Sequence, residues 1–260
     1  MKLAAILACR NQSSRLYAKP LQNLDVERGV SILDYLVAQL QQRLEIDDIV
    51  LCISEREENA VYRQKSAAYG IPFVVGDERD VLRRLILGAE RVGADHVFRV
   101  TTESPFPYLG CLPSVWQYHQ EHALDYSGVF GLPDGASFQI IRTDALRASW
   151  EKGDERHRSE LCGLYIREHP EEFHVMNHPA PLSIDPQRYR LTVDWPEDLV
   201  VMRAIYAGIG LSPAVPLDFP RIISFLDAHP EINRVNNWID AGVGRAWYMN
   251  TTAPGATGIV

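Results

Sequence analysis

The apolar run Leu3–Cys9 constrains the fold more than any other stretch, because it lacks the alternation of a strand with one wet face. Seven residues without a charge read as a strand buried on both sides, as in the interior of a parallel sheet. Residues 48–53 and 95–100 have the same look, and 72–75 is a shorter version. Between these runs lie helical patterns. Ile32, Leu33, Leu36, Leu40 and Leu44 repeat at three and four residues after Ser31, a helix N-cap. Residues 57–69 end at Gly70 and residues 79–92 end at Gly93, both C-cap positions. Strand and helix in alternation predict an α/β fold, a mostly parallel central sheet flanked by helices, joined by right-handed crossovers.

Beyond residue 125 the alternation loosens. Short strands are expected at 125–130 and 137–141 around Pro133-Asp134-Gly135, followed by helices at 143–152 and about 155–168. Extended segments at 173–177 and 190–193 precede a helix that starts at Pro196, with Glu197 and Asp198 in its first turn. Residues 218–241 read as helical and 251–260 as a flexible tail. No repeat or Gly/Ser-rich linker divides the chain. The expected organisation is a main domain over 1–212 and a helical extension with its tail over 213–260.

Composition removes several classes of function. A formal net charge of −8 argues against a nucleic-acid-binding face. The four cysteines, Cys9, Cys52, Cys111 and Cys162, form no Cys-x-x-Cys pair, and Cys9 and Cys52 read as small buried hydrophobes. None of the histidines is read as a metal ligand. No apolar run approaches the roughly 18–20 residues of a membrane span, and the first residues lack a cleavable signal. A soluble cytoplasmic protein is the expectation.

The chemistry is concentrated where strands end. Ligands of doubly wound sheets bind beyond the carboxyl ends of the strands. There the first strand empties into Arg10-Asn11-Gln12-Ser13-Ser14-Arg15-Leu16-Tyr17-Ala18-Lys19-Pro20-Leu21. Arg10, Arg15 and Lys19 can surround one polyphosphate, while Ser13 and Ser14 add hydroxyl and backbone N–H donors. The loop has neither the P-loop pattern nor the Gly-x-Gly-x-x-Gly of dinucleotide folds. A second polar loop, Thr101-Thr102-Glu103-Ser104-Pro105, follows the strand at 95–100 and reaches the same crevice. Asp194, in Leu191-Thr192-Val193-Asp194-Trp195-Pro196, either caps the following helix or holds Mg²⁺ from a strand end, with Glu103 as the partner carboxylate. Arg99, on an otherwise apolar strand, is expected to pair with Asp80 or Glu103 or to reach substrate. No serine has the Gly-x-Ser-x-Gly context of a hydrolase.

These blocks resemble the bacterial sugar-activating cytidylyltransferases, especially the spore-coat polysaccharide group and, more distantly, the CMP-KDO and CMP-sialate synthetases. Arg10, Ser13, Arg15, Leu16, Lys19 and Leu21 fall in register with the family's opening pattern. Asp80-Val81-Leu82-Arg83-Arg84 resembles Glu-Asp-Val-Leu-Asp-Arg, and Arg99-Val100-Thr101-Thr102-Glu103-Ser104-Pro105 resembles Arg-Val-Thr-Gly-Asp-Cys-Pro. Residues 190–199 are similar to Arg-Leu-Thr-Val-Asp-Thr-Pro-Glu-Asp-Leu. The resemblance covers about residues 2–209. It departs at Gln12, Ala18 and Thr102, where the family has Gly, at Tyr17 in place of Pro, and at Glu103 in place of Asp.

The resemblance implies a GT-A-like nucleotidyltransferase fold and a homodimer. It implies CTP as co-substrate, Mg²⁺ as cofactor and a sugar acceptor, expected to be a sugar acid for a surface glycan. Arg10, Lys19 and Asp194 would be catalytic. Arg10, Ser13, Ser14, Arg15, Lys19 and Arg99 would bind the nucleotide, and Glu103 and Asp194 the metal. The alternatives are a nucleotidyltransferase acting on a sugar phosphate or other small phosphate, and a nucleotide-binding protein without turnover.

Overall fold

The computed structural model describes residues 1–239; the tail at 251–260 and the end of the helical segment expected to 241 lie outside them. The strands are β1 (Leu3–Cys9), β2 (Asn23–Asp25), β3 (Val30–Ser31), β4 (Asp48–Ser54), β5 (Phe73–Gly76), β6 (His96–Arg99), β7 (Tyr126–Phe130), β8 (Gln139–Arg142) and β9 (Val175–Pro179). The helices are α1 (Ile32–Gln41), α2 (Val61–Tyr69), α3 (Val81–Val92), α4 (Leu112–Glu121), α5 (Thr143–Lys152), α6 (Glu155–Arg158), α7 (Leu164–Glu168), α8 (Pro196–Gly208), α9 (Phe219–Ala228) and α10 (Pro230–Asn233).

Seven strands form one sheet in the order β5-β4-β1-β6-β8-β7-β9, in which β8 runs against its neighbours and the rest are parallel. The chain moves outward from β1 to β4 and β5, then returns to place β6 on the other side of β1. That reversal opens a crevice between the loops leaving β1 and β6, the usual ligand position in such sheets. The alternation of β1 explains its uninterrupted apolarity. Leu3, Ala5, Leu7 and Cys9 face a core with α1, α2, α4, α8 and α9, while Ala4 and Ile6 face α3, α5 and α7. Among the described residues no helix is long and apolar enough to cross a membrane.

Several elements differ from expectation. Helix α1 stops at Gln41 and leaves Leu44 fully exposed. The segment 57–69 is a short 3-10 turn over 57–60 followed by α2. The helix expected over 155–168 is split into α6 and α7: Ser159 leaves α6 in an extended conformation, and the chain becomes helical again only after Gly163, which packs against the Tyr126 ring where a Cβ would come within 2.8 Å. Residues 218–241 are interrupted at His229-Pro230, since proline removes the N–H that would continue α9. Residues 190–193 are not a strand of the sheet; Arg190 makes an isolated parallel bridge to Asp134, and Val193 N–H donates to the Glu103 carbonyl. The β2–β3 hairpin was not anticipated.

Two local features give measurable stability effects. Ala18 holds a left-handed conformation, φ 51° and ψ 44°, with its N–H donating to the Asn11 carbonyl at 2.8 Å. Its Cβ is disfavoured there, by roughly 1 kcal/mol relative to glycine. Ala18→Gly is therefore expected to raise Tm by about 2–4 °C in a thermal melt; a lower Tm would show that Ala18 packing outweighs the strain. At the opposite end of the sheet His119 shares hydrogen bonds with His96 (3.0 Å) and Ser127 (2.8 Å). Burial holds both imidazoles neutral, pushing His96 down to about 4 and His119 down to about 3 from an ordinary 6.5. The unfolded chain takes up these protons below pH 6.5 and the folded one does not, so stability is lost as pH falls from about 6.5 toward 4. Denaturant unfolding at pH 7 and pH 5 should show that loss, and His119→Gln should reduce it.

Candidate active site

The β1 loop is shaped by hydrogen bonds to the chain that follows β4. Asn11 N–H donates to Asn59 Oδ1 at 2.8 Å, and Asn11 Nδ2 donates to the Glu58 carbonyl at 2.6 Å. Tyr62 Oη donates to the Arg10 carbonyl at 3.2 Å. Gln12, where glycine was expected, ties its amide to Glu58 and accepts from Asn59. These bonds present the next residues to an open cleft of about 470 Å³ lined by Arg10, Gln12, Ser13, Ser14 and Tyr17.

Lys19 and Arg15 converge on Asp194. Lys19 Nζ lies 2.6 Å and Arg15 Nη2 2.8 Å from Asp194 Oδ1. The Arg15 guanidinium also lies 6.0 Å from the centroid of the partly exposed Trp195 ring. The other Asp194 oxygen accepts from Arg190 Nη2 at 2.8 Å. Burial works to raise the Asp194 carboxyl, but the Lys19 hydrogen bond and the charges of Lys19, Arg15 and Arg190 overcome it and hold it below its ordinary value.

Arg190 organises this corner. It is 4 % exposed and donates to three aspartates: Nε to Asp198 at 2.8 Å, Nη1 to Asp134 at 2.7 Å, and Nη2 to Asp194. Asp198, fully buried at the start of α8, also accepts from the backbone N–H groups of Asp194 and Trp195 and from Asn236 Nδ2. The turn that supplies Asp134 approaches very closely. At Gly135, φ 87°, a Cβ would come within 2.6 Å of the Leu191 and Thr192 backbone, so no larger residue fits.

The loop after β6 is fastened to the same segment. Thr102 Oγ1 donates to the Ala8 carbonyl at 2.9 Å, and Ser104 Oγ donates to Thr192 Oγ1 at 3.1 Å. Glu103 is thereby placed beside the cluster. Burial raises its carboxyl above the ordinary value, Lys19 pulls it down, and the charge of Asp194 raises it further.

The structure thus brings Arg15, Lys19, Glu103 and Asp194 together. It does not gather the three loop cations around one point, because Arg10 turns toward Glu160, at 3.8 Å. Ser13 and Ser14 lie on the cleft wall. Asp194 does not cap α8; Asp198 takes the N–H groups there, and Asp194 is left to the cations. The Asp80 pairing expected for Arg99 is not what Asp80 does: it caps α3 through Arg83 N–H and accepts from Trp150 Nε1. Arg99 donates to Gln139 Oε1 and to the Glu160 carbonyl. The supporting roles of Asn59, Tyr62 and Arg190 were missed. A charged residue at the head of the otherwise apolar Leu191-Thr192-Val193 was the available signal for Arg190.

The chain is similar to several known proteins. The spore coat polysaccharide biosynthesis protein SpsF of Bacillus subtilis is 28% identical over 231 residues, covering 87% of this chain and 94% of that protein. An uncharacterised protein of Methanocaldococcus jannaschii is 26% identical over 237 residues, 91% of this chain and 95% of its own length. Among solved structures, a cytidylyltransferase from Leptospira borgpetersenii superposes with a TM-score of 0.79 at 18% identity, covering 89% of this chain and 96% of the other. A CMP:2-keto-3-deoxy-manno-octonic acid synthetase complexed with CTP gives 0.60 at 14% identity, covering 80% and 100%. These two share the fold. The cytidylyltransferase family profile matches residues 4–212, four-fifths of the chain, and the protein belongs to that family of nucleotidyltransferases.

Proposed function

We propose that the protein transfers CMP from CTP to the hydroxyl of a sugar, with a sugar acid as the acceptor class, and releases pyrophosphate. The observation that carries this reading is the convergence of Arg15, Lys19 and Asp194 at the crevice between the β1 and β6 loops. In this reading the acceptor hydroxyl attacks the α-phosphorus, a new P–O bond forms, and the bond to the β-phosphate oxygen breaks. Reactions of this kind draw their rate mainly from positioning and charge neutralisation.

Arg15 and Lys19 would leave Asp194 for the triphosphate, with Ser13 and Ser14 donating from the cleft wall. Arg190 would keep the Asp194 carboxylate in place during that exchange. Mg²⁺ fits the donor set: Asp194 and Glu103 would be hard oxygen ligands from two loops, and the Asp194 charge disfavours ionisation of the buried Glu103, which a cation between them would favour. Bound there, Mg²⁺ would neutralise phosphate charge.

Two measurements test the reading. Pyrophosphate release should be greatest with CTP among the four ribonucleoside triphosphates and should require a sugar acid rather than a sugar phosphate; equal release with all four would end the cytidylyl assignment. Asp194→Asn should bind CTP no more weakly than the parent, because Arg15 and Lys19 lose their resident counter-charge, while turnover falls by about 10³-fold or more. Lys19→Ala should instead weaken CTP binding by at least about tenfold. Unchanged turnover in Asp194→Asn would remove that carboxylate from the reaction.

A further inference from the structure

Arg84, on the second turn of α3, is the largest fully buried side chain of the described residues, at 1 % exposure. Its Nε and Nη1 have no hydrogen-bond partner among the described residues. An unpaired buried guanidinium is costly, so such a group calls for a function. Its stem passes over Gly76, where a Cβ would come within 2.9 Å of Arg84 Cγ. Gly76 pairs in register with Ser54, whose Oγ is likewise buried and without a partner among the described residues. The cysteine neighbours of Arg84, Cys9, Cys52 and Cys162, supply no counter-charge, because burial raises all three thiols and pushes Cys52 up to about 12. Arg10 is a further charged neighbour, and it repels Arg84.

Arg10, the cationic neighbour of Arg84, meets a third guanidinium, Arg99, at Glu160. Arg10 lines the substrate cleft and ion-pairs with Glu160 at 3.8 Å. Arg99 donates to the Glu160 carbonyl. The Glu160 side chain is 70 % exposed and is held by no hydrogen bond to Arg10 at that distance. Among the described residues, Arg84 with its unsatisfied donors therefore lies beside Arg10, whose ion-pair partner Glu160 is loosely held.

We propose that Arg84, Arg10 and Arg99 form a second oxyanion position in the active site, separate from the Asp194 cluster, which Glu160 holds until a substrate oxyanion replaces it. The inference rests on the CMP-transfer reading for the identity of that substrate. The ligand chemistry is a phosphoryl or carboxylate oxygen, supplied by the nucleotide or by the acceptor. The arrangement keeps a charge unsatisfied in the resting protein so that it is available on binding, a cost that functional sites commonly carry.

Calorimetric titration with Mg-CTP, 2-keto-3-deoxy-manno-octonic acid, glucose 1-phosphate and inorganic phosphate tests this in the parent, Arg84→Met, Arg84→Lys and Glu160→Gln. Arg84→Met is expected to melt no lower than the parent, since it removes an unpaired buried charge, and to bind at least one of these anions tenfold more weakly or worse. Arg84→Lys should fall between, and Glu160→Gln should bind the same anion two- to fivefold more tightly. Loss confined to Mg-CTP assigns the position to the nucleotide, and loss confined to a sugar assigns it to the acceptor. If no substrate binds the parent but phosphate does, and Arg84→Met loses it, the CMP-transfer reading falls and the anion position stands. A lower Tm in Arg84→Met with every affinity within twofold would make Arg84 a structural residue and overturn the proposal. Should Arg84→Met fail to fold, unchanged affinities in both Arg84→Lys and Glu160→Gln would overturn it equally.

Discussion

The buried Arg190 guanidinium is the interaction on which the candidate active-site corner depends. It joins a turn beside the sheet, the start of α8 and the carboxylate that faces the crevice, through Asp134, Asp198 and Asp194. Such a network adds little net stability when complete, because each charge was desolvated to build it. Its value lies in the penalty for taking it apart: leaving one member buried without its partner costs about 3–5 kcal/mol. Asp194 is thus fixed by a constraint that reaches both sides of it in sequence. The close backbone approach at Gly135 lets the Asp134 turn join this network.

The cationic loop, by contrast, is divided. Arg15 and Lys19 belong to the Asp194 corner, and Arg10 belongs with Arg99 and Glu160 on the α3 side of the sheet. The backbone at 10–12, tied to residues 58–62, separates the two groups. A protein with net charge −8 thus groups its loop cations at two points of a single edge, one of them balanced by Asp134, Asp194 and Asp198.

The sheet strand β1 and the interior of β4, Ile49 to Ile53, were legible because apolarity on every residue has few explanations other than burial on both faces. The helix ends at Gly70 and Gly93 were equally clear, both glycines adopting left-handed conformations that other residues avoid. Of the candidate site, the residues that share the crevice were readable from their position after strand ends. Their pairing was not. Whether Arg10 turns toward Asp194 or Glu160 depends on which loop covers which face, a long-range matter that local pattern does not encode. Residues 190–193 have strand-like composition, yet they lie across two loops, because the partners that satisfy them are Asp134 and Glu103 rather than a sheet edge. The Arg190 network was hidden for a similar reason: one of its aspartates, Asp134, lies fifty-six residues away in sequence.

The grip of Lys19 and Arg15 on Asp194 also sets a threshold for occupancy. An anion that takes those two cations leaves the partly buried Asp194 carboxylate with Arg190 as its counter-charge, and a small univalent ion brings little charge to offset the lost contacts. A polyanion escorted by a divalent cation leaves every charge compensated, Asp194 included. On the proposed CMP-transfer reading, the resting contact would thus filter on valence, disfavouring monovalent salts while the two long side chains are already ordered.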